Sequence, residues 1–321
     1  MQISLVGLGQ VGTALGFALS KYSDKITLVG FDKDFEKQSR AKTIGAINKS
    51  PINLINAVKD AEIIVISTPY SAVKELFSQI HQDLKPNAVV ICAAPNKEIT
   101  AKWFREVFPT TNQFIGLTVS FNPEYTRHLD PSEVIEKTDL FNNTSIGISS
   151  PTGTSEQALK YASDLVELLG AKVQYLDILE ADGIERTSHL LPQVLSYLLL
   201  HSTVDVPGWN EARLYTNQPY LSVASPFGHE SPTDLADLLL DAEKPMLAIL
   251  DDTIEKLRQF RDSIADHNVE EIKKTVKKSI TNKSTLMKAR KTGNWFERIS
   301  DEKNDVKKTN FIKQLFIGRG R

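Results

Sequence analysis

Five short runs of this chain are apolar over nearly their whole length, "ISLVGL", "ITLVGF", "EIIVIS", "AVVICAA" and "QFIGLTV", and a last unit adds two more strand-like runs, "TSIGIS" and "AKVQYL". A strand that alternates apolar and polar residues can leave one face in water, whereas an unalternating strand needs cover on both faces. The cover lies between the runs. In "SAVKELFSQIHQDL" the residues Val73, Leu76, Phe77 and Ile80 recur at helical spacing, with Ser71 placed to cap the helix start. "SEQALKYASDLVELLG" ends on Gly170, a helix-stop residue. Strand and helix in alternation predict an α/β fold with a doubly wound parallel sheet between two helical layers.

From Leu179 onward the strand signal stops. "GIERTSHLLPQVLSYLLLHSTV" reads as a long, mostly apolar helix interrupted by Pro192, and "LADLLLDAEKPMLAILDDTIEKLRQFRDSIADHNVEEIKKTVKKSI" supplies one or two more. Helices apolar around most of their circumference must be buried on several sides. A small helical domain achieves that most readily by interlocking with a second copy, so residues 179–321 are expected to form an all-α dimerisation domain. The stretch Lys273 to Arg321 carries 15 basic and 4 acidic residues and reads as a solvated helical tail.

Composition removes several function classes. A net charge of -2 over 321 residues argues against bulk nucleic-acid binding. The single cysteine, Cys92, sits in an apolar run and suits a reducing compartment. No apolar run approaches the roughly 18 residues of a membrane span, and "MQISLVGLGQVG" has no basic, cleavable leader pattern. The expectation is a cytoplasmic protein of two domains. The six histidines show no metal-ligand spacing, and no G-x-S-x-G nucleophile elbow occurs.

The first run continues into "GLGQVGTALGFAL", which holds Gly7, Gly9 and Gly12 as G-x-G-x-x-G between a strand and an amphipathic helix. Gly7 permits the tight turn, Gly9 admits a pyrophosphate to the backbone, and Gly12 lets helix and strand approach. The helix N-terminus offers N–H groups and a positive dipole end to phosphate. A second strand ends in Asp32, 20 residues after Gly12, where a carboxylate accepts hydrogen bonds from ribose hydroxyls and repels a 2′-phosphate. Residues 1–178 therefore read as a Rossmann-type dinucleotide-binding domain that takes NAD in preference to NADP. Gly7, Leu8, Gly9, Gln10, Val11, Gly12 and Asp32 form the expected cofactor site. Ser67, Thr68 and Pro69 end the strand that should lie beside the nicotinamide.

The order of motifs resembles the prephenate/arogenate dehydrogenase family of tyrosine biosynthesis. "GLGQVGTALGFAL", "GFDKD", "ISTPYSAV", "FIGLTVSFNP", "LFNN", "ADGIERTSHLLPQVLSYLL" and "GWNEARLYTNQPY" follow one another as that family's segments do, to about Asp262. The resemblance implies oxidative decarboxylation of a cyclohexadienyl substrate by a homodimer. It places Arg213 on a substrate carboxylate, His189 and Gln193 toward the substrate, and Lys97 and Asn122 in the pocket. Tyr215 and Tyr220 either line that pocket or pack the dimer, and His128 lies in the loop after Pro123.

Two departures stand out. The family's strand-end histidine is replaced by Thr118 in "GLTVSFNP", and its "D-x-G-S-x-K" segment reads "CAAPNK", keeping only Lys97. Three readings stay open on the sequence. Thr118, helped by Asn122 or His189, positions the ring hydroxyl; or the pocket takes another small anionic substrate; or the chain is a non-catalytic, cofactor-binding dimer.

Overall fold

The computed structural model describes residues 1–122, 125, 138–224 and 231–292. The chain divides into two compact units, Met1–Asp262 and Ser263–Arg321. The first carries every strand among the described residues, and the candidate site.

The first unit opens with β1 (Gln2–Val6), α1 (Gln10–Leu19) and β2 (Thr27–Phe31), followed by α2 (Phe35–Thr43) and the short α3 (Leu54–Val58). Next come β3 (Ile63–Ile66), α4 (Tyr70–Ile80), β4 (Val89–Cys92), α5 (Lys97–Val107) and β5 (Gln113–Thr118). The sheet is completed by β6 (Ser145–Ser149), α6 (Glu156–Leu168) and β7 (Lys172–Leu176). All seven expected strands are present, in the order β2-β1-β3-β4-β5-β6-β7. β1 sits between β2 and β3, so the chain winds first to one side and then to the other, the doubly wound arrangement.

Both faces are covered over β1 to β6, as unalternating strands require, while β7 at the sheet edge stays largely exposed. Ile3, Leu5, Ile63, Val65, Val89, Ile91, Ile115 and Leu117 join a core with α1 and α6. Their neighbours Val6, Ile64, Ile66, Val90, Cys92 and Phe114 join the opposite core with α3, α4 and α5. The two-residue period of a strand sends alternate side chains to opposite layers. On the second face Phe77, Phe104 and Phe108 form an aromatic cluster, with Phe104 stacked on Phe108 at a centroid separation of 4.2 Å.

One expectation is corrected. β6 runs antiparallel to β5, pairing Leu117 with Ile148 and Thr118 with Gly147, while β7 returns parallel to β6. Apolarity reports burial on two faces but not strand direction. A parallel partner for β5 would need a crossover, usually helical, whereas an antiparallel one does not.

After β7 the described chain is helical: α7 (Ile178–Glu185), a single π-helical turn (Arg186–Leu190), α8 (Leu191–Val204), α9 (Trp209–Ala212), a 3₁₀ turn (Arg213–Tyr215) and α10 (Gln218–Ala224). Pro192 falls in the first turn of α8, where its missing N–H costs nothing. The apolar stretch is thus two helices joined by a π turn. Then come α11 (Pro232–Asp241) and α12 (Glu243–Ala265). In the second unit α13 (Val269–Thr292) is a basic helix with Val276, Ile280, Leu286 and Met287 exposed. Three helices therefore occupy the stretch expected to hold one or two.

Two helix starts in the first unit are capped from a distance. α4 begins at Tyr70 with Pro69 in the capping position, so Ser71 is inside the helix and is not its cap. The Ser71 N–H donates to Asp234 of α11 at 2.7 Å, and the Tyr70 hydroxyl donates to Asp241 at 2.7 Å. α5 starts after Asn96, a left-handed residue with no side-chain capping bond. Its first N–H groups, from Lys97 and Glu98, donate to the two carboxylate oxygens of Asp182 at 2.6 and 3.1 Å. Asp182 is buried on α7. Asp182→Ala strands two buried donors, and chemical denaturation should show a loss of about 1–3 kcal/mol with the denaturant slope unchanged.

Candidate active site

Register places the site. Val6 pairs with Ile66, Ile66 with Cys92, and Cys92 with Gly116. The carboxyl ends of β1, β3, β4 and β5 therefore line one edge of the sheet, where ligands bind in open α/β folds. Gly7, Ser67 and Ala93 follow directly along that edge, and Thr118 closes it. Thr118 and Ser67 belong to strands two positions apart, about 10 Å at ordinary strand spacing.

The glycine turn has the form needed for a dinucleotide. Gly7 has a φ of +91°, and a Cβ there would lie 2.6 Å from the Ser67 carbonyl oxygen. A Cβ on Gly12 would lie 1.9 Å from the Gly7 oxygen, so helix and loop touch through it. Around Gly9 there is nothing within 4 Å of such an atom. Open space over one glycine, at a helix N-terminus with no side-chain cap, is where a pyrophosphate fits. The Ser67 hydroxyl donates to the Gly7 carbonyl at 2.8 Å and Thr13 to the Leu8 carbonyl at 2.8 Å, locking the turn. The Asp32 carboxylate accepts from the Leu8 N–H at 2.7 Å and the Asp34 N–H at 3.0 Å, which fixes it beside the loop. Gln10 and Val11 open α1 at that turn. Thr68 Oγ1 is buried with no hydrogen-bond partner in the protein, and Pro69 beside it is exposed. These residues fit a bound dinucleotide with free ribose hydroxyls.

At the other end of the edge sits a charged cluster. Lys97 has no solvent exposure, and its Nζ donates to the Ala94 carbonyl at 2.6 Å and to Glu185 Oε1 at 2.7 Å. A buried ammonium is tolerated only when paired and hydrogen-bonded. Both of these partners are protein groups, so Lys97 as seen holds Glu185 in place. The Thr118 hydroxyl donates to the same Glu185 oxygen at 3.1 Å. Glu185 Oε2 is buried and accepts no hydrogen bond from the protein.

His189 lies on the π turn one helical step after Glu185, its Nδ1 2.8 Å from the Ser188 hydroxyl. Loss of hydration lowers its pKa below the ordinary 6.5. The Lys97 charge pushes the same way, and Glu185 opposes. The folded chain therefore holds this imidazole neutral at pH 7. Where pH falls below 6.5 the unfolded chain binds the proton more readily, so this contribution to stability is present above that value and is lost on acidification.

The remaining residues of interest are distributed differently. Asn122 is buried just past Thr118, its N–H bonded to the Leu140 carbonyl at 2.7 Å. Gln193 is half-buried on α8, one turn beyond His189. Arg213 is exposed in the 3₁₀ turn. An open, mostly apolar cavity of about 460 Å³ lies nearby, lined by Val206, Trp209, Tyr215, Pro219 and Tyr220 among others but not by Arg213. His128 lies outside the described residues. No group of three or more metal-ligating side chains occurs among the described residues.

Sequence reasoning passed over Glu185 and Asp182. The signal for Glu185 was present, an acid four residues before His189, but the expected partner of Thr118 was Asn122 or His189. Asp182 gave no sign of its role, because its partners are backbone N–H groups 84 and 85 residues away.

A doubly wound sheet with this glycine turn defines a dinucleotide-binding oxidoreductase domain. A family model described as the nucleotide-binding domain of prephenate dehydrogenase matches residues 15–175, half of the chain. The chain belongs to the prephenate dehydrogenase family, a family of NAD-dependent dehydrogenases. The match begins after the glycine turn, so the reading of that turn rests on its geometry. Among curated relatives, prephenate dehydrogenase of Bacillus subtilis (strain 168) is 21% identical over 276 residues, covering 84% of this chain and 72% of its own length. Cyclohexadienyl dehydrogenase of Zymomonas mobilis is 22% identical over 271 residues, covering 83% and 89%. The crystal structure of prephenate dehydrogenase from A. aeolicus, in complex with hydroxyphenyl propionate and NAD+, shares the fold with a TM-score of 0.75 at 16% identity, over 89% of this chain and 98% of that one.

The two glycines separate binding from folding. Gly9→Ala should leave the melting temperature unchanged yet weaken NAD by about tenfold, roughly 1.4 kcal/mol, in a fluorescence titration. Gly12→Ala meets the Gly7 backbone and should lower both.

Proposed function

We propose that this protein is an NAD-dependent dehydrogenase that oxidatively decarboxylates a cyclohexadienyl acid, prephenate or arogenate, in tyrosine biosynthesis. Bound NAD supplies the hydride acceptor. The chain holds the cofactor with Gly7, Leu8, Gly9, Gln10, Val11, Gly12 and Asp32, and the nicotinamide end lies against Ser67, Thr68 and Pro69. The observation that carries the reading is the Thr118 hydroxyl, fixed by its hydrogen bond to Glu185 at the same sheet edge as the cofactor cradle. In this reading it meets the ring hydroxyl of the substrate.

His189, Gln193 and Asn122 line the substrate side in this reading, and Arg213 grips a carboxylate through its planar pair of donors. Because Lys97 is engaged with Glu185, it acts on the substrate through that carboxylate. Residues 1–178 bind the cofactor and the helices from 179 onward form the substrate and dimer region. Leu214, Tyr215, Leu240 and Leu257 are all more than half exposed, which supports a homodimer through these helices. No helix among the described residues is long and apolar enough to cross a membrane, and we place the enzyme in the cytoplasm.

A second reading, oxidation of another small anionic acid, is favoured by one feature, the enclosure of the lysine that the family resemblance assigns to the pocket. The deciding experiment follows NADH formation by purified protein with NAD and either prephenate or arogenate. Turnover of one supports the proposal, and turnover of neither, with NAD still bound, transfers it to the second reading. With the active substrate, Arg213→Ala should raise KM more than about threefold, roughly 0.7 kcal/mol. A smaller change removes the carboxylate grip.

A further inference from the structure

The Thr118 hydroxyl has a single proton to donate, and it donates it to Glu185. Toward the cleft its oxygen can then present only lone pairs, which fits it to receive a proton from a substrate hydroxyl. Behind it Glu185 is held by a fully buried Lys97 through Oε1, while Oε2 is buried and accepts no hydrogen bond from the protein. A buried carboxylate oxygen with no donor is uncommon in a folded chain and calls for a cause.

We propose that Glu185 is the proton acceptor of the dehydrogenation, reached through the Thr118 hydroxyl, and that Lys97 fixes its position. The inference rests on the proposed function and names what replaces the missing imidazole. As the hydride leaves the ring carbon, the O–H bond of its hydroxyl breaks. That proton passes to Thr118 Oγ1, whose own proton moves to Glu185 Oε1, and the ring carbon–oxygen bond becomes a carbonyl. The bond from ring to carboxylate then breaks and carbon dioxide leaves. Its electron pair stays to make the ring aromatic, and the phenolate oxygen takes the proton back along the same path. The relay ends as it began, so no proton is consumed.

The other ionisable groups around Glu185 do not substitute for it. Asp182, one turn earlier, is committed to the two N–H groups of α5. Burial pushes the Cys92 thiol on β4 up to about 11. Lys97 is the ion-pair partner of Glu185. His189 is the one competing base, and the test must separate the two.

The test uses the full-length protein with NAD and the substrate that it turns over, comparing Glu185→Gln, Thr118→Val, Thr118→Ser, the Glu185→Gln/Thr118→Val double variant and His189→Asn. Glu185→Gln should keep the dissociation constants for NAD and for the aromatic keto or amino acid product, keep KM, and lower kcat by about 10²–10⁴-fold. Thr118→Val should lose a similar factor, Thr118→Ser should restore it, and the double variant should be no worse than either single one, because the residues act as a unit. His189→Asn should act mainly through KM, with kcat lowered less than in Glu185→Gln. If Glu185→Gln does not fold, Glu185→Asp takes its place: it keeps the buried charge beside Lys97 but draws the carboxylate back from Thr118, and it should lower kcat with KM kept. A Glu185→Gln variant within about threefold of the unmutated kcat overturns the inference while leaving the function intact. So does a kcat lowered more by His189→Asn than by Glu185→Gln. Failure of the unmutated chain to turn over either substrate while binding NAD overturns the functional reading, and this inference with it.

Discussion

A lysine with no solvent exposure is an expensive thing to build into a sheet edge, because an uncompensated buried ammonium costs several kcal/mol. Lys97 is stabilised by an anion 2.7 Å away and a carbonyl at 2.6 Å, and meeting that requirement organises the region. Glu185 must reach inward from the end of α7, so α7 must lie across the N-terminus of α5. Asp182, one turn earlier on the same helix, then falls beside the free N–H groups of α5 and caps them. Thr118, at the end of β5, finds its acceptor in the same carboxylate. One ion pair thus joins the last parallel strand, the helix before it in sequence and the first helix after the sheet.

The two ends of the carboxyl edge are built on different principles. At the cofactor end the backbone does most of the work. The glycines set the shape, and Ser67, Thr13 and Asp32 spend their polar atoms holding the turn. At the other end side chains do the work, and they come from elements 67 to 88 residues apart in sequence. The first kind of site tolerates varied surroundings, because its chemistry is that of the peptide group. The second depends on two helices and a strand keeping their relative positions.

That difference decides how much could be read from the sequence. The seven strands, the glycine turn, the Asp32 placement and the Gly170 helix stop follow from local rules, because periodicity and turn chemistry act over a few residues. The antiparallel entry of β6 was illegible, since apolar runs carry no direction. Ser71 was taken for a cap because it is a good capping residue near a helix start, but Pro69 sets the start earlier and Asp234, far along the chain, takes the N–H. Glu185 was missed because its importance depends on the burial of Lys97, a tertiary fact. Lys97 itself was noticed as a charge facing a ligand, whereas the fold encloses it.

The π turn at Arg186–Leu190 joins the ion-pair helix to the apolar helix that follows. A π turn accommodates one residue more than an α-helical path, and each helical residue advances the face by about 100°. His189 and Gln193 thus owe their direction to the number of residues after Glu185 as much as to their identities. Loss of one residue within the turn would relax it to ordinary helix with α8 facing as before, whereas loss of one from the regular helix on either side would rotate all that follows by about 100° relative to the sheet. The chemistry would then be aimed elsewhere with every side chain still present. For this segment length is itself an inherited character, and substitutions are the milder form of change.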